Sequence, residues 1–164
     1  MVIYIGADHK GFQLKGYLKQ TLQNLGYEVA DVGDLQLDEA DNYPEFAAAV
    51  AKKVSEGHET TRGVLICGSG VGVSVVANKF PNVRASLVAS PDQAFDSRND
   101  DDANILCLGA NYLNPESAKK ILVTWFQTPF SGEGRHINRL KQISLIEETV
   151  FRKETEVQGR PTIS

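Results

Sequence analysis

The chain has 164 residues, 41% of them hydrophobic and 23% charged, with a formal net charge of −4. That length and balance fit one globular domain with its own core. The acidic surplus argues against a nucleic-acid partner, so an anionic ligand must be held by a few local cations and backbone amides.

Val2 to Gly6 (VIYIG) is the first buried strand, with Ala7, Asp8 and His9 at its carboxyl end. Nothing in MVIYIGADHK reads as a signal peptide, and no apolar run approaches membrane-spanning length. The chain is therefore read as cytoplasmic. Gly11 to Leu25 carries Leu14, Leu18, Leu22 and Leu25 at helical spacing, and Gly26 closes that helix. Tyr27 to Val32 is a second strand. Gly33 to Asn42 is an acidic connection without clear structure. Tyr43-Pro44 opens a helix whose apolar face is Phe46, Ala47, Val50 and Val54, ending at Gly57.

Arg62 to Lys79 is the most informative stretch. The run Val64, Leu65, Ile66 ends in Cys67, and Gly68, Ser69, Gly70, Val71 and Gly72 follow before Val73, Val76 and Ala77 recur at helical spacing. This predicts a buried strand, a tight glycine turn and a helix start, where side-chain-free residues let an anion approach unpaired amides. Other readings stay open for the loop. A dinucleotide fingerprint needs a third glycine where Val73 stands, and a phosphate-binding P-loop needs a Lys-Ser/Thr pair. A purely structural turn needs neither.

Val83 to Val88 is the fourth strand. Ser90-Pro91 opens a helix with Ala94 and Phe95 facing inward, running into Asn99, Asp100, Asp101 and Asp102. Asn104 to Leu108 is the fifth strand, and Pro115 to Phe126 a helix with Ala118, Ile121, Leu122 and Trp125 on one side. After Ser131-Gly132-Glu133-Gly134, Arg135 and His136 begin a last helix reaching about Phe151. Residues 1–151 form one domain, and 152–164 a polar, mobile tail. Strands alternating with helices mean an α/β sandwich around a parallel five-stranded sheet. Ligands of such sheets sit at the carboxyl ends of the strands, where Asp8, His9 and the glycine loop fall.

Several side chains have both a chemical and a bland reading. Cys67 precedes a helix N-terminus, where the dipole favours thiolate, yet a buried strand-end thiol also packs as a small hydrophobe. Cys107 lacks that context and is core; both thiols are free, and neither has a partner at zinc-ligand spacing. Asp8 and His9 either cap the first helix or serve a site. Arg135 and Arg139 stand one helical turn apart, which suits either a solvated face or a clamp on phosphate. His58 is an exposed loop residue.

Taken together, IGADHKGFQLK, GYEVADVGD, NYPEFA, GVLICGSGVGVSVVANK, RASLV, DDANILCLGA and GEGRHINRL resemble the type B ribose-5-phosphate isomerase family, which includes enzymes for galactose 6-phosphate and allose 6-phosphate. The matches run in order over residues 3 to 145. The resemblance implies a Rossmann-like three-layer α/β/α subunit and a homodimer with two shared active sites, in some members a tetramer. No metal or cofactor is implied. The reaction is an aldose–ketose isomerisation through a cis-enediolate, in the pentose phosphate pathway for the five-carbon sugar. Carried over by motif, Cys67 is the base between C1 and C2, and Ser69 assists ring opening. Gly68, Gly70, Val71 and Gly72 supply the anion hole, while Asp8 and Tyr43 hold sugar hydroxyls. His9, with Arg135 and Arg139 from the partner subunit, holds the phosphate.

Two departures from the family bear on substrate. Asp100 and Asp101 stand where many members have His-Asn, and Asn111 where several have Arg. Asp100 is expected near the sugar ring as a base for ring opening, at the same sheet edge as Cys67. Asp101 is placed among the substrate-binding positions, but an ionised carboxylate cannot donate to an enediolate, so it is expected to turn away or pair with a cation such as Arg98. The leading reading is the ribose 5-phosphate–ribulose 5-phosphate isomerase. The alternatives are a six-carbon aldose 6-phosphate isomerase, or a sugar-phosphate-binding protein that has lost turnover.

Overall fold

Side-chain alternation along the strands decides which helix covers which face of the sheet. The computed structural model describes residues 1–33 and 35–158, with side chains through residue 150. It divides into a first unit, Met1–Phe130, and a second from Ser131 onward. In the first unit β1 (Val2–Ala7), β2 (Glu28–Asp31), β3 (Thr61–Cys67), β4 (Ala85–Leu87) and β5 (Ile105–Gly109) form one parallel sheet in the order β2-β1-β3-β5-β4. The helices between and after them are α1 (Phe12–Asn24), α2 (Tyr43–Glu56), α3 (Val71–Ala77), α4 (Pro91–Asn99) and α5 (Pro115–Gln127).

Ile3, Ile5, Val64, Ile66, Leu106 and Leu108 point to one face and pack with Leu14 and Leu18 of α1 and Leu122 and Trp125 of α5. Leu65, Cys67, Ile105 and Cys107 point to the other, against Val50 and Val54 of α2 and Val73 and Ala77 of α3. With both faces covered, the central strands are continuous apolar runs and not alternating ones. The fully buried Ile, Leu and Val side chains among these each contribute about 1.5–3 kcal/mol through burial. The result is the expected Rossmann-like three-layer sandwich.

β1 lies between β2 and β3. The chain leaves β1 toward one side and returns to pair on the other, so a crevice opens between the carboxyl ends of β1 and β3. The register sets Ala7 beside Ile66 and Cys67 beside Gly109. Asp8 and Cys67 therefore emerge together at that crevice.

Some boundaries and faces differ from the sequence reading. Gly26 does end α1 in the left-handed conformation, at φ +88°, but Leu25 is exposed and not part of the buried stripe. In α4 the inward face is Ala94, Ser97 and Arg98, while Phe95 is exposed. An arginine replaces the expected aromatic because its charge is paired there: Arg98 Nη1 meets Asp102 Oδ1 at 2.7 Å and the Ala103 carbonyl at 2.6 Å, with the guanidinium 5.2 Å from the Trp125 ring. Asp34, in the acidic connection, lies outside the described residues.

In the second unit α6 spans Gly134–Gln158. It runs past Phe151, through a stretch of strong helix formers that the sequence reading assigned to the tail. Residues 159–164 lie outside the described residues. Among the described residues no helix is long and apolar enough to cross a membrane.

Candidate active site

The glycine loop between β3 and α3 is built so that backbone, not side chain, faces the crevice. Gly70 sits at φ +77°, and a Cβ there would lie 2.5 Å from Leu87 Cδ1 and 2.8 Å from the Leu108 carbonyl carbon. Only glycine satisfies both the left-handed turn and that packing. At Gly72 a Cβ would lie 2.7 Å from Cε2 and Cζ of Tyr43, so the Tyr43 ring rests directly on the loop. Tyr43 opens α2 and is half-exposed beside the loop.

Cys67 closes β3 with only 4% of its surface exposed. The Gly70 amide donates to its Sγ at 3.1 Å, a donor that stabilises negative charge on sulfur. The Val71 amide donates to Ser69 Oγ at 3.2 Å, fixing the hydroxyl at the mouth of the same loop. Two of the predicted loop amides are thus engaged within the loop. The Gly72 and Val73 amides have no intrahelical acceptor at the start of α3. Cys107, one strand away on the same sheet face, is fully buried; desolvation first, and the neighbouring Cys67 second, push its thiol pKa up. It remains a neutral core side chain, as its sequence context indicates.

The turn after β1 completes this side of the crevice. Asp8 is buried, its amide continues the ladder to the Ile66 carbonyl at 3.3 Å, and its Oδ1 accepts from the Gly11 amide at 3.0 Å. The capping and chemical readings of Asp8 are therefore compatible, since the second carboxylate oxygen is not needed by the turn. Lys10 and Asn111 flank the loop: a Cβ at Gly68 would lie 3.0 Å from Lys10 Cδ and 3.1 Å from Asn111 Nδ2. His9 Nδ1 stands 2.6 Å from Asp41 Oδ1. This hydrogen bond, then desolvation against it, then the charges of Asp41 and Asp8, leave the His9 pKa above its ordinary 6.5. Asp41 was not legible as a site residue in the sequence, where it ends a featureless acidic stretch 32 positions from its partner.

On the far side of Ser69, a cavity of about 240 Å³ opens between the ends of β4 and β5, lined by Val71, Leu87, Val88, Ala89 and Gly109 with Tyr112 and Leu113. Its apolar walls suit exclusion of water better than recognition of a hydroxylated ligand. Among the described residues no cluster of His, Cys, Asp or Glu is arranged to hold a metal ion.

Asp100 and Asp101 correct the sequence reading of where they stand. In an all-parallel sheet a segment that precedes β5 lies at its amino end, whereas Cys67 lies at the carboxyl end of β3. The register fixes this, pairing Gly63 with Ile105 and Cys67 with Gly109. Asp100 caps α4 at that opposite edge, with Oδ1 accepting from Asn99 Nδ2 at 2.7 Å. Nor does Asp101 pair with Arg98. Its side chain is exposed and its carbonyl accepts from Arg84 Nε at 3.0 Å. Asp102 takes the cations instead, Arg98 at 2.7 Å and Arg84 at 2.9 Å.

Arg135 and Arg139 lie on the first turns of α6, both exposed. Arg135 Nε meets Glu133 Oε2 at 2.9 Å, and Ser131 Oγ lies 2.7 Å from His136 Nδ1. The pair keeps the one-turn spacing expected from the sequence.

The known proteins that this chain resembles converge on one chemistry. Residues 3–143 match the family model described as Ribose/Galactose Isomerase. Ribose-5-phosphate isomerase B of Escherichia coli is 40% identical over 146 residues, 89% of this chain and 96% of that protein. The 4-deoxy-4-sulfo-D-erythrose isomerase of a Clostridium species is 39% identical over 160 residues, 93% and 99% of the two chains. Among solved structures, ribose-5-phosphate isomerase B from Mycoplasma genitalium with bound ribulose-5-phosphate aligns at TM-score 0.87 and 38% identity, covering 90% of this chain and 96% of that one.

Proposed function

The chain belongs to the ribose/galactose isomerase family, and we propose that it interconverts ribose 5-phosphate and ribulose 5-phosphate through a cis-enediolate, in the cytoplasm. The observation that carries this reading is the Cys67 thiol at the carboxyl end of β3, held by the Gly70 amide inside a glycine loop beside Asp8. A C–H next to a carbonyl is a weak acid, so its removal needs a base and preorganised donors for the oxyanion that develops.

In this mechanism Ser69 and a carboxylate assist opening of the furanose ring. Cys67 thiolate then takes the C2 proton of the open aldose, leaving the electron pair in the enediolate. The same proton returns to C1 while the hydroxyl proton moves between O1 and O2, so no electron leaves the substrate. The Gly70 and Val71 amides are taken up by Cys67 Sγ and Ser69 Oγ, so the Gly72 amide at the start of α3 serves the enediolate oxygens, and Asp8 and Tyr43 hold hydroxyls. His9 binds the phosphate with Arg135 and Arg139 of the partner subunit, and that remote contact supplies binding energy for orientation.

Asp100 fits this scheme only from a second copy, because its own Cys67 lies at the other edge of the sheet. Asp100 of the partner subunit then takes the ring-hydroxyl proton, with Asp101 of the partner subunit beside it. The assembly is a homodimer with shared sites.

The test is an isomerase assay on ribose 5-phosphate, allose 6-phosphate, galactose 6-phosphate and a four-carbon aldose phosphate. We expect the highest kcat/KM on ribose 5-phosphate. A higher value on any other sugar reassigns the substrate, and no turnover of any overturns the isomerase reading.

A further inference from the structure

We propose that Asp41 is a positioning residue for the isomerase, which holds His9 by its Nδ1 so that Nε2 is presented as a hydrogen-bond donor to the substrate phosphate. This rests on the reading that His9 binds phosphate.

The geometry has two independent parts. First, the 2.6 Å contact between His9 Nδ1 and Asp41 Oδ1 is short, as charge-assisted hydrogen bonds are. Second, the Asp41 side chain is only 4% exposed, and its Oδ2 is buried with no hydrogen-bond partner among the described residues. A desolvated carboxylate with one oxygen unpaired needs a nearby positive charge to offset the cost of its burial. His9, whose side chain is 28% exposed, is the group placed to supply it.

The consequence for a bound phosphate follows from the imidazole inventory. A neutral ring that gives its Nδ1 proton to Asp41 has a lone pair on Nε2, which repels a phosphate oxygen. The protonated ring donates from both nitrogens. Asp41, by its contact at Nδ1, therefore favours the protonated ring, whose Nε2 donates to phosphate, over the neutral one, whose Nε2 accepts. Asp8 adds to the same effect, and Lys10, the other charged group facing the ring, opposes it. An acidic loop in an acidic protein thus helps to bind an anion, by fixing a proton on the histidine it touches.

Placement supports the role. Asp41 precedes Tyr43 by two residues, and Tyr43 lies on Gly72 of the catalytic loop. One short segment, Asp41 to Tyr43, then sets both the phosphate end and the sugar end of the site.

The experiment combines NMR titration of the His9 ring with steady-state kinetics on ribose 5-phosphate for wild type, Asp41→Asn, Asp41→Glu and His9→Gln. We expect Asp41→Asn to move the His9 titration down toward pH 6.5 and to raise KM about tenfold at pH 7.5, the scale of one charged hydrogen bond. We expect kcat to change by less than about threefold, since the reacting carbons are remote. KM should start to climb near pH 6.5 in Asp41→Asn and only at higher pH in wild type, because the phosphate is already a dianion above its second ionisation near pH 6. Asp41→Glu, which keeps the carboxylate, should recover part of the loss. The proposal falls if the His9 titration is the same in Asp41→Asn, or if kcat falls while KM holds. If His9→Gln raises KM and Asp41→Asn does not, the proposal alone is overturned. If His9→Gln leaves KM unchanged, the phosphate role of His9 itself is overturned, and this inference with it.

Discussion

Two carboxylates at opposite edges of the sheet show how this fold separates structure from function. At the amino edge Asp102 spends both oxygens on cations, Oδ1 on Arg98 and Oδ2 on Arg84, and Asn104 bonds the Arg84 amide and the Asn82 carbonyl. At the carboxyl edge Asp41 uses Oδ1 on His9, and its buried Oδ2 has no hydrogen-bond partner among the described residues. The first arrangement is complete in itself and ties α4 to the start of β5. The second leans on the single contact with His9, whose other ring nitrogen is left for a ligand. Groups of the same chemical type thus hold the fold at one edge and stand ready for a ligand at the other.

The largest effect that breaks this comparison is at Cys67. Replacing it with Ala should lower kcat on ribose 5-phosphate by about 10²–10⁴-fold, the range for loss of a general base. Thermal stability should fall by a smaller margin, about 1–3 kcal/mol, because the buried Gly70 amide loses its sulfur partner. Mixing inactive Cys67→Ala and inactive Arg135→Ala chains should restore activity through hybrid dimers, to about a quarter of wild type if subunits exchange at random. Near-normal turnover in Cys67→Ala would hand the base role to a carboxylate. Silence of the mixture after confirmed exchange would put each site within a single chain.

The sequence carried most of the carboxyl edge and less of the amino edge, for physical reasons. Apolar runs such as Val64 to Cys67 mark central strands because both sheet faces are covered, and the loop after Cys67 is legible because close approach to Tyr43 and a left-handed turn demand glycine. Contacts between residues far apart in the chain leave no such trace. His9 and Asp41 are joined across 32 positions, and neither has a periodicity that announces the other. The same holds for Arg98, which a hydrophobicity pattern puts outside until Asp102 and Trp125 supply its partners. Asp100 misleads for a different reason: nearness to a strand in sequence does not say which end of it a residue joins, and in a parallel sheet that direction decides the edge.

An intermediate effect should come from the amino edge. Asp102→Asn removes a charge from two arginines, one of them, Arg98, with a side chain only 9% exposed. Partial exposure of Asp102 lowers the cost below that of a fully buried pair, to about 1–3 kcal/mol. For a chain of this size that is roughly 2–10 °C in Tm. Calorimetry should show this loss at every pH where the carboxylate is ionised. A Tm within 1 °C or so of wild type would mean that the network is a surface ornament, and the contrast between the edges would lose its structural half.

The smallest effect sharpens the contrast from the other side, because the Asp41–His9 pair should stabilise the free protein only over part of the pH range. The His9 pKa is raised in the folded state, by the Asp41 hydrogen bond first and the Asp41 and Asp8 charges after it. Folding therefore favours the protonated ring. Its contribution is fully present below the unfolded value of about 6.5 and is lost as pH rises through the higher folded value. Above that, the neutral ring still donates Nδ1–H to Asp41, but the charge that offset the buried carboxylate is gone. The Tm difference between wild type and Asp41→Asn should accordingly be larger at pH 6 than at pH 9, with no ligand present. The Asp102→Asn difference, which involves only arginines as partners, should stay level between the same two pH values. A Tm gap at Asp41 that is flat with pH would show that His9 carries no extra proton in the folded chain. The carboxyl edge would then hold its carboxylate as the amino edge does, by packing and hydrogen bonds alone.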